Sequence, residues 1–259
     1  MIEAIRNKRA FICDMDGVVY HGEEILPGVL EFVAWLKAQD KQYLFLTNSS
    51  GRTPREHSRR LARMGIEVEP EHFYTSALAT AMFLSQQLPG GSAYVIGDTG
   101  LSNALYEVGY TMDDEAPDYV VVGESRTYNY DTVVKAVRLV ENGARLIGCN
   151  PDLCDASRHG VIPSTGALIA PIELATGRKA YYVGKPNPLM MRHALKVLGC
   201  QREESVVIGD RMDTDIVAGI EAEIETVLVL SGVATRADVD RFAFAPNYIF
   251  DGISDLVES

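Results

Sequence analysis

Short apolar runs alternate with helical patterns along most of the chain. The first two runs are Ala10–Cys13 and residues 43–46, and apolar positions at Val29, Val33 and Leu36 repeat at close to 3.6 residues between them. Short buried strands that alternate with amphipathic helices are typical of a parallel sheet covered by helices. The pattern therefore predicts an α/β fold.

The same reading extends to the end of the chain. It predicts further strands at residues 73–75, 93–96, 119–122, 145–148, 181–183, 205–208 and 226–230. It predicts helices that begin at Pro27 and Pro54, and others over residues 101–108, 130–142, 166–176 and 188–198. Residues 150–161 are predicted to form a loop. Thr53 and Glu56 have the spacing of a helix capping box.

Composition and charge narrow the class of protein. The 259 residues are 47% hydrophobic, which is ordinary for a globular chain. There are 24 Lys+Arg against 36 Asp+Glu, a net charge of −12, which argues against nucleic acid as a partner. A protein of this charge would have to bind phosphate through a metal ion or a few placed cations.

Other features indicate a cytoplasmic protein. No apolar stretch is long enough to span a membrane, and the first residues lack the pattern of a secretory signal. Cys13, Cys149, Cys154 and Cys200 form no Cys-x-x-Cys pair. We therefore expect reduced thiols, no membrane partner and a cytoplasmic location.

Two carboxylates follow the first apolar run, in the sequence Asp14-Met15-Asp16-Gly17. Residues i and i+2 of an extended chain point to the same side, so the two acids can share one site. Like charges held close together need a cation between them. The alternative interpretation is a solvated turn with two surface acids.

Two more polar segments follow predicted strands. Thr47, Asn48 and Ser49 come after residues 43–46, and hydroxyls and exposed amides at a strand end can hold an anion. Lys185, in Gly-Lys-Pro, offers a fixed positive charge. Each signal is weak by itself, because Thr-Asn-Ser is common in loops and most lysines lie on the surface.

A fourth segment carries a cluster of acids. The apolar strand at 205–208 runs into Gly209 and Asp210, and Asp213 and Asp215 follow. Carboxylates are the ligands that Mg²⁺ prefers, so this pattern predicts a metal site. The alternative is a helix N-terminus, where aspartate is favourable, and one of the three acids is expected to have that role.

Three other features are interpreted as unrelated to the chemistry. Asp98 ends a second Val-Ile-Gly-Asp sequence but has no further acid close behind it, so we expect a turn or cap residue. Ser125 lies in Gly-Glu-Ser without the second glycine of a nucleophile elbow. The histidines show no zinc-ligand spacing.

The four segments, in this order, resemble the haloacid dehalogenase (HAD) phosphatase superfamily and its NagD-type subfamily. The resemblance lies in the sequences DMDGV, LTNSS, YVGKPNP and GDRMDTDI and extends along essentially the whole chain. It implies a doubly wound, Rossmann-like parallel sheet in an α/β core of residues 1–76 and 179–259. It also implies an inserted α/β cap at residues 77–178 that determines substrate specificity.

The resemblance also implies roles for individual residues. Asp14 would be the nucleophile that forms an aspartyl phosphate, and Asp16 the general acid and base. Thr47, Asn48 and Ser49 would bind the phosphoryl group.

A magnesium site is implied as well. Asp14, Asp210, Asp215 and the backbone carbonyl of Asp16 would hold Mg²⁺, and Lys185 would offset negative charge and contact the substrate.

The expected activity is hydrolysis of small phosphomonoesters, such as nucleoside monophosphates or sugar phosphates. A specific phosphatase for phosphoglycolate or pyridoxal phosphate is one alternative. A phospho-acceptor signalling module without turnover is another, although Asp16 and the long insertion argue against it, and an inactive binding protein is a third. A homodimer formed through the cap is also predicted. Asp152, Asp155, Arg158 and His159 are either substrate contacts or solvated loop residues.

Overall fold

The computed structural model describes residues 2–157 and 160–257. Within them, the chain forms two compact units. Unit 1 comprises residues 2–47, 57–74 and 185–257, and unit 2 comprises residues 48–56 and 75–184.

The helices and strands follow one another as predicted for an α/β chain. The helices are α1 (Ile2–Arg6), α2 (Val29–Ala38), α3 (Pro54–Arg63), α4 (Ser76–Gln87), α5 (Thr99–Glu107), α6 (Tyr130–Glu141), α7 (Thr165–Thr176), α8 (Pro188–Leu198), α9 (Val217–Glu221) and α10 (Arg236–Val239). The strands are β1 (Ala10–Cys13), β2 (Tyr20–His21), β3 (Glu24–Ile25), β4 (Gln42–Thr47), β5 (Phe73–Thr75), β6 (Ser92–Ile96), β7 (Thr111–Met112), β8 (Tyr119–Val122), β9 (Arg145–Gly148), β10 (Cys154–Ser157), β11 (Gly160–Pro163), β12 (Tyr181–Tyr182), β13 (Ser205–Gly209), β14 (Glu225–Val229) and β15 (Tyr248–Phe250). Single helical turns lie at Pro70–His72, Arg202–Glu204, Met212–Ile216 and Ile253–Leu256.

Unit 1 is built on a sheet with the strand order β15-β14-β13-β1-β4-β5. β1 pairs in parallel with β13 on one side and with β4 on the other, and β14 pairs in parallel with β13 and β15. All four residues of β1 are buried, as expected for a central strand covered on both faces. The predicted doubly wound α/β fold is confirmed.

Helix α2 shows why the apolar pattern forms a helix here. Its buried residues Val29, Phe32, Val33 and Leu36 lie on one face, and Phe32 contacts Phe11 of β1 with 6.0 Å between ring centroids. The predicted start of this helix at Pro27 is wrong. Gly28 intervenes with φ of +80°, a left-handed conformation that turns the chain before the first helical residue.

Helix α3 begins as predicted. The backbone N–H of Thr53 donates to Glu56 Oε2 at 2.8 Å, and the backbone N–H of Glu56 donates to Thr53 Oγ1 at 3.2 Å. This reciprocal pair is the capping box expected from the spacing of the two residues, and it satisfies backbone donors that the first helical turn leaves open.

Unit 2 contains a second parallel sheet, with the strand order β12-β9-β8-β6-β7. Its core is formed by apolar residues of β8, β9 and helices α6 and α7, among them Val120, Leu146, Val140 and Ile169. The insertion therefore has a hydrophobic core of its own.

The predicted loop at residues 150–161 is wrong in part. Residues 154–157 and 160–163 form the antiparallel hairpin β10–β11, with Cys154 opposite Pro163 and Asp155 opposite Ile162. The sequence Cys-Asp-Ala-Ser has few of the β-branched and aromatic residues that predict a strand, so the pairing was missed. Arg158 and His159, predicted as possible substrate contacts, lie outside the described residues.

The compact units differ from the predicted ranges 1–76, 77–178 and 179–259. Tyr181 and Tyr182 of β12 pair with Ile147 and Gly148 of β9, which places this strand in unit 2. Residues 48–56 also belong to unit 2. In the part of the chain that the structure describes, every helix is too short or too polar to cross a membrane.

Candidate active site

A carboxylate cluster lies at one edge of the unit 1 sheet. Asp14 follows β1, Asp210 follows β13, and Asp215 belongs to the turn Met212–Ile216. β1 and β13 are neighbouring parallel strands, so the residues that follow them meet at the same edge. One carboxylate oxygen from each of the three aspartates lies within 4.8 Å of the other two.

Lys185 lies between two of these carboxylates. Its Nζ is 2.5 Å from Asp14 Oδ1 and 2.6 Å from Asp215 Oδ1. Lys185 and Asp215 are buried, and the Asp14 side chain is only 13% exposed. The structure thus brings together Asp14, Lys185, Asp210 and Asp215, which come from three separate segments of the sequence.

Burial controls the protonation of the cluster. Burial raises the pKa of Asp14 well above its ordinary value; Lys185 opposes this shift, and the neighbouring aspartates add to it. Burial and the charge of Asp215 raise the pKa of Asp210 to about 6. Burial lowers the pKa of Lys185, but Asp14 and Asp215 raise it by more, so the ammonium form is favoured.

The cluster has the properties of a site for a hard divalent cation. Three carboxylates and one ammonium leave a net charge of −3 + 1 = −2 when all are ionised. Asp210 Oδ2 accepts a hydrogen bond from the backbone N–H of Val233 at 2.7 Å. Its Oδ1 is buried and has no hydrogen-bond partner among the described residues. A buried, unpartnered carboxylate oxygen is unfavourable unless a cation binds it, so these residues fit Mg²⁺.

The segment Ser231–Val233 was not predicted to belong to the site. Besides the Val233 hydrogen bond to Asp210, the Ser231 hydroxyl donates to the backbone oxygen of Gly17 at 2.7 Å. Gly17 and Gly232 both lie against the Asp210 carboxylate, and a Cβ at either position would overlap it. The sequence does contain an indication that this segment belongs to the site. Ser231 and Gly232 follow the predicted strand at 226–230, just as polar residues follow the other strands.

Asp16 lies outside the carboxylate cluster and is exposed. Its Oδ1 is 3.7 Å from Nδ1 of His21, which belongs to the short hairpin β2–β3. His21 was not predicted to neighbour Asp16, and no sequence signal indicated it. Asp213, the second of the three acids in the fourth segment, is exposed, and its Oδ2 lies 2.9 Å from Nη2 of Arg211.

The predicted anion-binding residues lie where β4 ends. Thr47 is the last residue of β4 in unit 1, whereas Asn48 and Ser49 begin the segment that belongs to unit 2. The Asn48 side-chain amide donates to Asp152 Oδ2 at 2.7 Å, and the Ser49 hydroxyl donates to Glu124 Oε2 at 3.1 Å. Asp152 was among the predicted candidates, but Glu124 was not.

Asp98 and Ser125 make hydrogen bonds within unit 2. Asp98 occupies the N-cap position of α5, yet its side chain accepts from the backbone N–H of Arg126 at 3.0 Å instead of capping the helix. The Ser125 hydroxyl lies 3.3 Å from the Thr127 hydroxyl. All four cysteines are free, and of these only Cys154 is exposed.

The chain belongs to the haloacid dehalogenase-like hydrolase family. Residues 11–111 match the family profile described as haloacid dehalogenase-like hydrolase, and residues 182–256 match a second profile described as HAD-hydrolase-like. The enzyme class predicted from the four segments, a HAD phosphatase, is confirmed.

Several relatives are similar to this chain along nearly its whole length. The dihydroxyacetone phosphatase of Corynebacterium glutamicum is 44% identical over 249 residues, covering 96% of this chain and 90% of the relative. The ribonucleotide monophosphatase NagD of Escherichia coli K12 is 43% identical over 245 residues, covering 95% of this chain and 96% of the relative.

Solved structures of such proteins share the fold. The structure of E. coli NagD superposes with a TM-score of 0.91 and covers 96% of this chain and 98% of its own. A glycerol phosphate phosphatase of Mycobacterium tuberculosis, solved in complex with magnesium, superposes with a TM-score of 0.93 at 27% identity. The match covers 99% of this chain and 78% of that protein. These matches confirm the predicted resemblance to NagD-type phosphatases.

Proposed function

We propose that the enzyme hydrolyses phosphomonoesters through an aspartyl phosphate formed on Asp14. The observation that carries this proposal is the buried contact of Asp14 with Lys185 beside two further carboxylates. The ammonium of Lys185 opposes the rise that burial causes in the pKa of Asp14 and so favours the ionised carboxylate, which is the form that acts as a nucleophile.

In the first step, a carboxylate oxygen of Asp14 attacks phosphorus and the bond to the ester oxygen breaks. The leaving alkoxide takes a proton from Asp16. In the second step, a water molecule attacks the phosphorus of the aspartyl phosphate and gives its proton to Asp16. The bond between phosphorus and the Asp14 oxygen breaks, inorganic phosphate leaves, and both carboxyl groups return to their starting forms.

Two sets of residues bind the phosphoryl group in this proposal. Lys185 offsets the charge of Asp14 and of the transferred oxygens. The Thr47 hydroxyl and the Asn48 amide donate hydrogen bonds to phosphoryl oxygens, with Ser49 completing the loop. Positioning and charge neutralisation are the main requirements of phosphoryl transfer, because little covalent chemistry is left to the protein.

Mg²⁺ would be held by Asp14, Asp210, Asp215 and the backbone carbonyl of Asp16. When bound, it would supply positive charge next to the transferred phosphoryl oxygens. The buried, unpartnered oxygen of Asp210 supports this assignment. The similar phosphatase of M. tuberculosis was solved in complex with magnesium.

The proposed substrates are small phosphomonoesters, with nucleoside 5′-monophosphates ranked first and sugar phosphates second. The relatives carry names that refer to ribonucleotides, dihydroxyacetone and glycerol phosphate. Residues 77–178 contain 12 Asp+Glu and 6 Lys+Arg, a net of −6, and a surface of that sign repels polyanions. A homodimer formed through the cap and a cytoplasmic location remain predictions.

Steady-state release of phosphate from 4-nitrophenyl phosphate tests the proposed activity directly. Continuous release over many equivalents per enzyme is expected. Release of nitrophenol that stops after one equivalent, with phosphate retained on the protein, would instead identify a phospho-acceptor without turnover.

A panel of phosphate esters tests the substrate class. We expect higher kcat/KM for nucleoside monophosphates, dihydroxyacetone phosphate and glycerol phosphate than for phosphopeptides or 5′-phosphorylated oligonucleotides, because the acidic insertion disfavours polyanions. A best substrate among the last two groups contradicts the small-substrate proposal. Phosphoglycolate or pyridoxal phosphate as the best substrate contradicts only the ranking.

Replacement of Lys185 tests the charge at the site. We expect Lys185→Ala to lower kcat/KM by roughly 10²-fold or more, because one donor aimed at developing charge in a dry site contributes several kcal/mol. Lys185→Arg should restore little, since a planar guanidinium replaces a compact ammonium. The exposed Lys196→Ala of helix α8 serves as the control. A kcat/KM for Lys185→Ala equal to that of the control would remove Lys185 from the mechanism.

A further inference from the structure

The loop after β4 is hydrogen-bonded into unit 2 along its length. We call residues 48–52 the 48–52 loop. The backbone oxygen of Asn48 accepts from the Ser76 hydroxyl and from the Asn150 side-chain amide, both at 2.6 Å. Three residues further on, the backbone oxygen of Gly51 accepts from the backbone N–H of Gly100 at 3.1 Å.

Glu124 contacts the middle of this loop. Its Oε2 accepts from the Ser49 hydroxyl at 3.1 Å, and its Oε1 accepts from the backbone N–H of Ser50 at 3.4 Å. In return, the backbone N–H of Glu124 donates to the Ser50 hydroxyl at 2.8 Å. The backbone before Glu124 lies close to the loop, because a Cβ at Gly123 would lie 2.6 Å from the Ser50 hydroxyl oxygen.

The number of protons limits what Ser49 can do. A serine hydroxyl has one proton to donate, and an ionised carboxylate can only accept. In the structure, Ser49 donates that proton to Glu124. Burial raises the pKa of Glu124 above its ordinary value, and the hydrogen bonds that its carboxylate accepts from Ser49 and Ser50 oppose this rise. While this bond holds, the Ser49 hydroxyl has no proton to donate to a phosphoryl oxygen.

We propose that Glu124 is a positioning residue for the 48–52 loop and that Ser49 anchors this loop instead of donating to the phosphoryl group. Glu124 holds the two residues that follow Asn48 in the chain, Ser49 and Ser50. The residue that precedes Asn48 is Thr47, the last residue of β4. The inference rests on the proposed function, because it takes Thr47 and Asn48 as the phosphoryl ligands.

The proposal predicts that removal of the Glu124 carboxylate weakens phosphate binding more than it slows the chemical step. Without the carboxylate, the 48–52 loop keeps its bonds to Ser76, Asn150 and Gly100 but loses the two that fix Ser49 and Ser50. The Asn48 side-chain amide has a second N–H besides the one that it donates to Asp152, and that N–H is then held less firmly for a hydrogen bond to the phosphoryl group. The nucleophile Asp14 is held by its ion pair with Lys185, which also pairs with Asp215, and the substitution at Glu124 changes none of these three residues.

Steady-state kinetics with 4-nitrophenyl phosphate and inhibition by inorganic phosphate measure this effect. For Glu124→Ala, we expect KM and the phosphate inhibition constant to rise about tenfold, as for the loss of charged hydrogen bonds, with kcat changing less than about threefold. Glu124→Gln keeps an acceptor oxygen and should recover part of the affinity. Glu107→Ala, an exposed glutamate of the same unit, is the matched control.

A double-mutant cycle separates an anchor from a phosphoryl ligand. If Ser49 acts through Glu124, Ser49→Ala raises KM in the otherwise unchanged enzyme but by less than about twofold in the Glu124→Ala background. If Ser49→Ala raises KM equally in both backgrounds, Ser49 acts independently of Glu124 and the proposal is overturned. A fall in kcat at constant KM for Glu124→Ala would overturn it as well.

Amide hydrogen exchange provides a readout that does not depend on catalysis. The proposal expects faster exchange at the backbone N–H groups of Ser50 and Glu124 in Glu124→Ala, while exchange in the unit 1 sheet stays unchanged. Unchanged exchange at Ser50 overturns the positioning role. If exchange responds as expected but Asp14→Asn remains active, the proposed function has failed and the loop anchor has not.

Discussion

Asp14→Asn is expected to give a folded protein whose phosphatase turnover is reduced by about 10⁴-fold or more, the scale seen when an enzyme loses its nucleophile. Asparagine keeps the size of the side chain and can still accept from Lys185 Nζ, which lies 2.5 Å from Asp14 Oδ1 in the structure. It cannot form the aspartyl phosphate. The loss should therefore appear in kcat with little change in thermal unfolding.

Chemical trapping makes this test specific. After brief mixing with a ³²P-labelled substrate and acid quenching, the unchanged enzyme should retain label that hydroxylamine removes, as expected for an acyl phosphate. Asp14→Asn should retain none. The control is Asp213→Asn, because Asp213 is exposed and pairs with Arg211 outside the cluster. Hydroxylamine-sensitive label on Asp14→Asn would place the covalent intermediate on another residue.

The sheet of unit 1 could be predicted because its strands are encoded locally. Ala10–Cys13 and Phe73–Thr75 are short buried runs followed by polar residues, and both have the bounds that the pattern predicted. A buried strand needs apolar residues at every position, so the signal lies within a few neighbouring residues. The capping box at Thr53 is predictable for the same reason, since both partners lie in one helical turn.

The contacts of the carboxylate cluster could not be derived from local pattern. Asp14 and Asp210 meet because β1 and β13 are neighbours in the sheet, and Lys185, which pairs with Asp14, lies 171 residues further along the chain. Strand order is set by long-range packing, and the periodicity of apolar residues within a segment does not predict it. The order of the four motifs, compared with a known family, supplied that information instead.

The 48–52 loop shows a different limit. Its sequence, Asn-Ser-Ser-Gly-Arg, predicts a loop but does not predict which of the two units this loop belongs to. In unit 2 it makes hydrogen bonds with three residues that are distant in sequence: Ser50 donates to Glu124, and Asn150 and Gly100 donate to backbone oxygens of the loop. Glu124 lies in Gly-Glu-Ser, whose only recognisable pattern is an incomplete nucleophile elbow, so the sequence does not indicate its contact with this loop.

Metal removal should abolish activity, and two Val-Ile-Gly-Asp sequences provide a matched pair of variants. Treatment with EDTA is expected to stop phosphate release, and Mg²⁺ to restore it. Asp210→Asn should raise the Mg²⁺ concentration needed for half-maximal activity by roughly 100-fold or more, because even changes to residues behind a metal ligand lower affinity 10–100-fold. The buried, unpartnered Oδ1 of Asp210 is the physical reason.

Asp98→Asn makes the same chemical change at the second Val-Ile-Gly-Asp sequence. Its Oδ1 can still accept from the backbone N–H of Arg126, and Asp98 is not part of the carboxylate cluster of the described residues. We therefore expect an unchanged Mg²⁺ requirement. Calorimetric titration of Mg²⁺ into the substrate-free proteins gives a readout independent of turnover, with weakened binding only for Asp210→Asn. Equal Mg²⁺ affinity in the two variants would exclude Asp210 as a metal ligand, because its carboxylate would then contribute no more to binding than one outside the cluster.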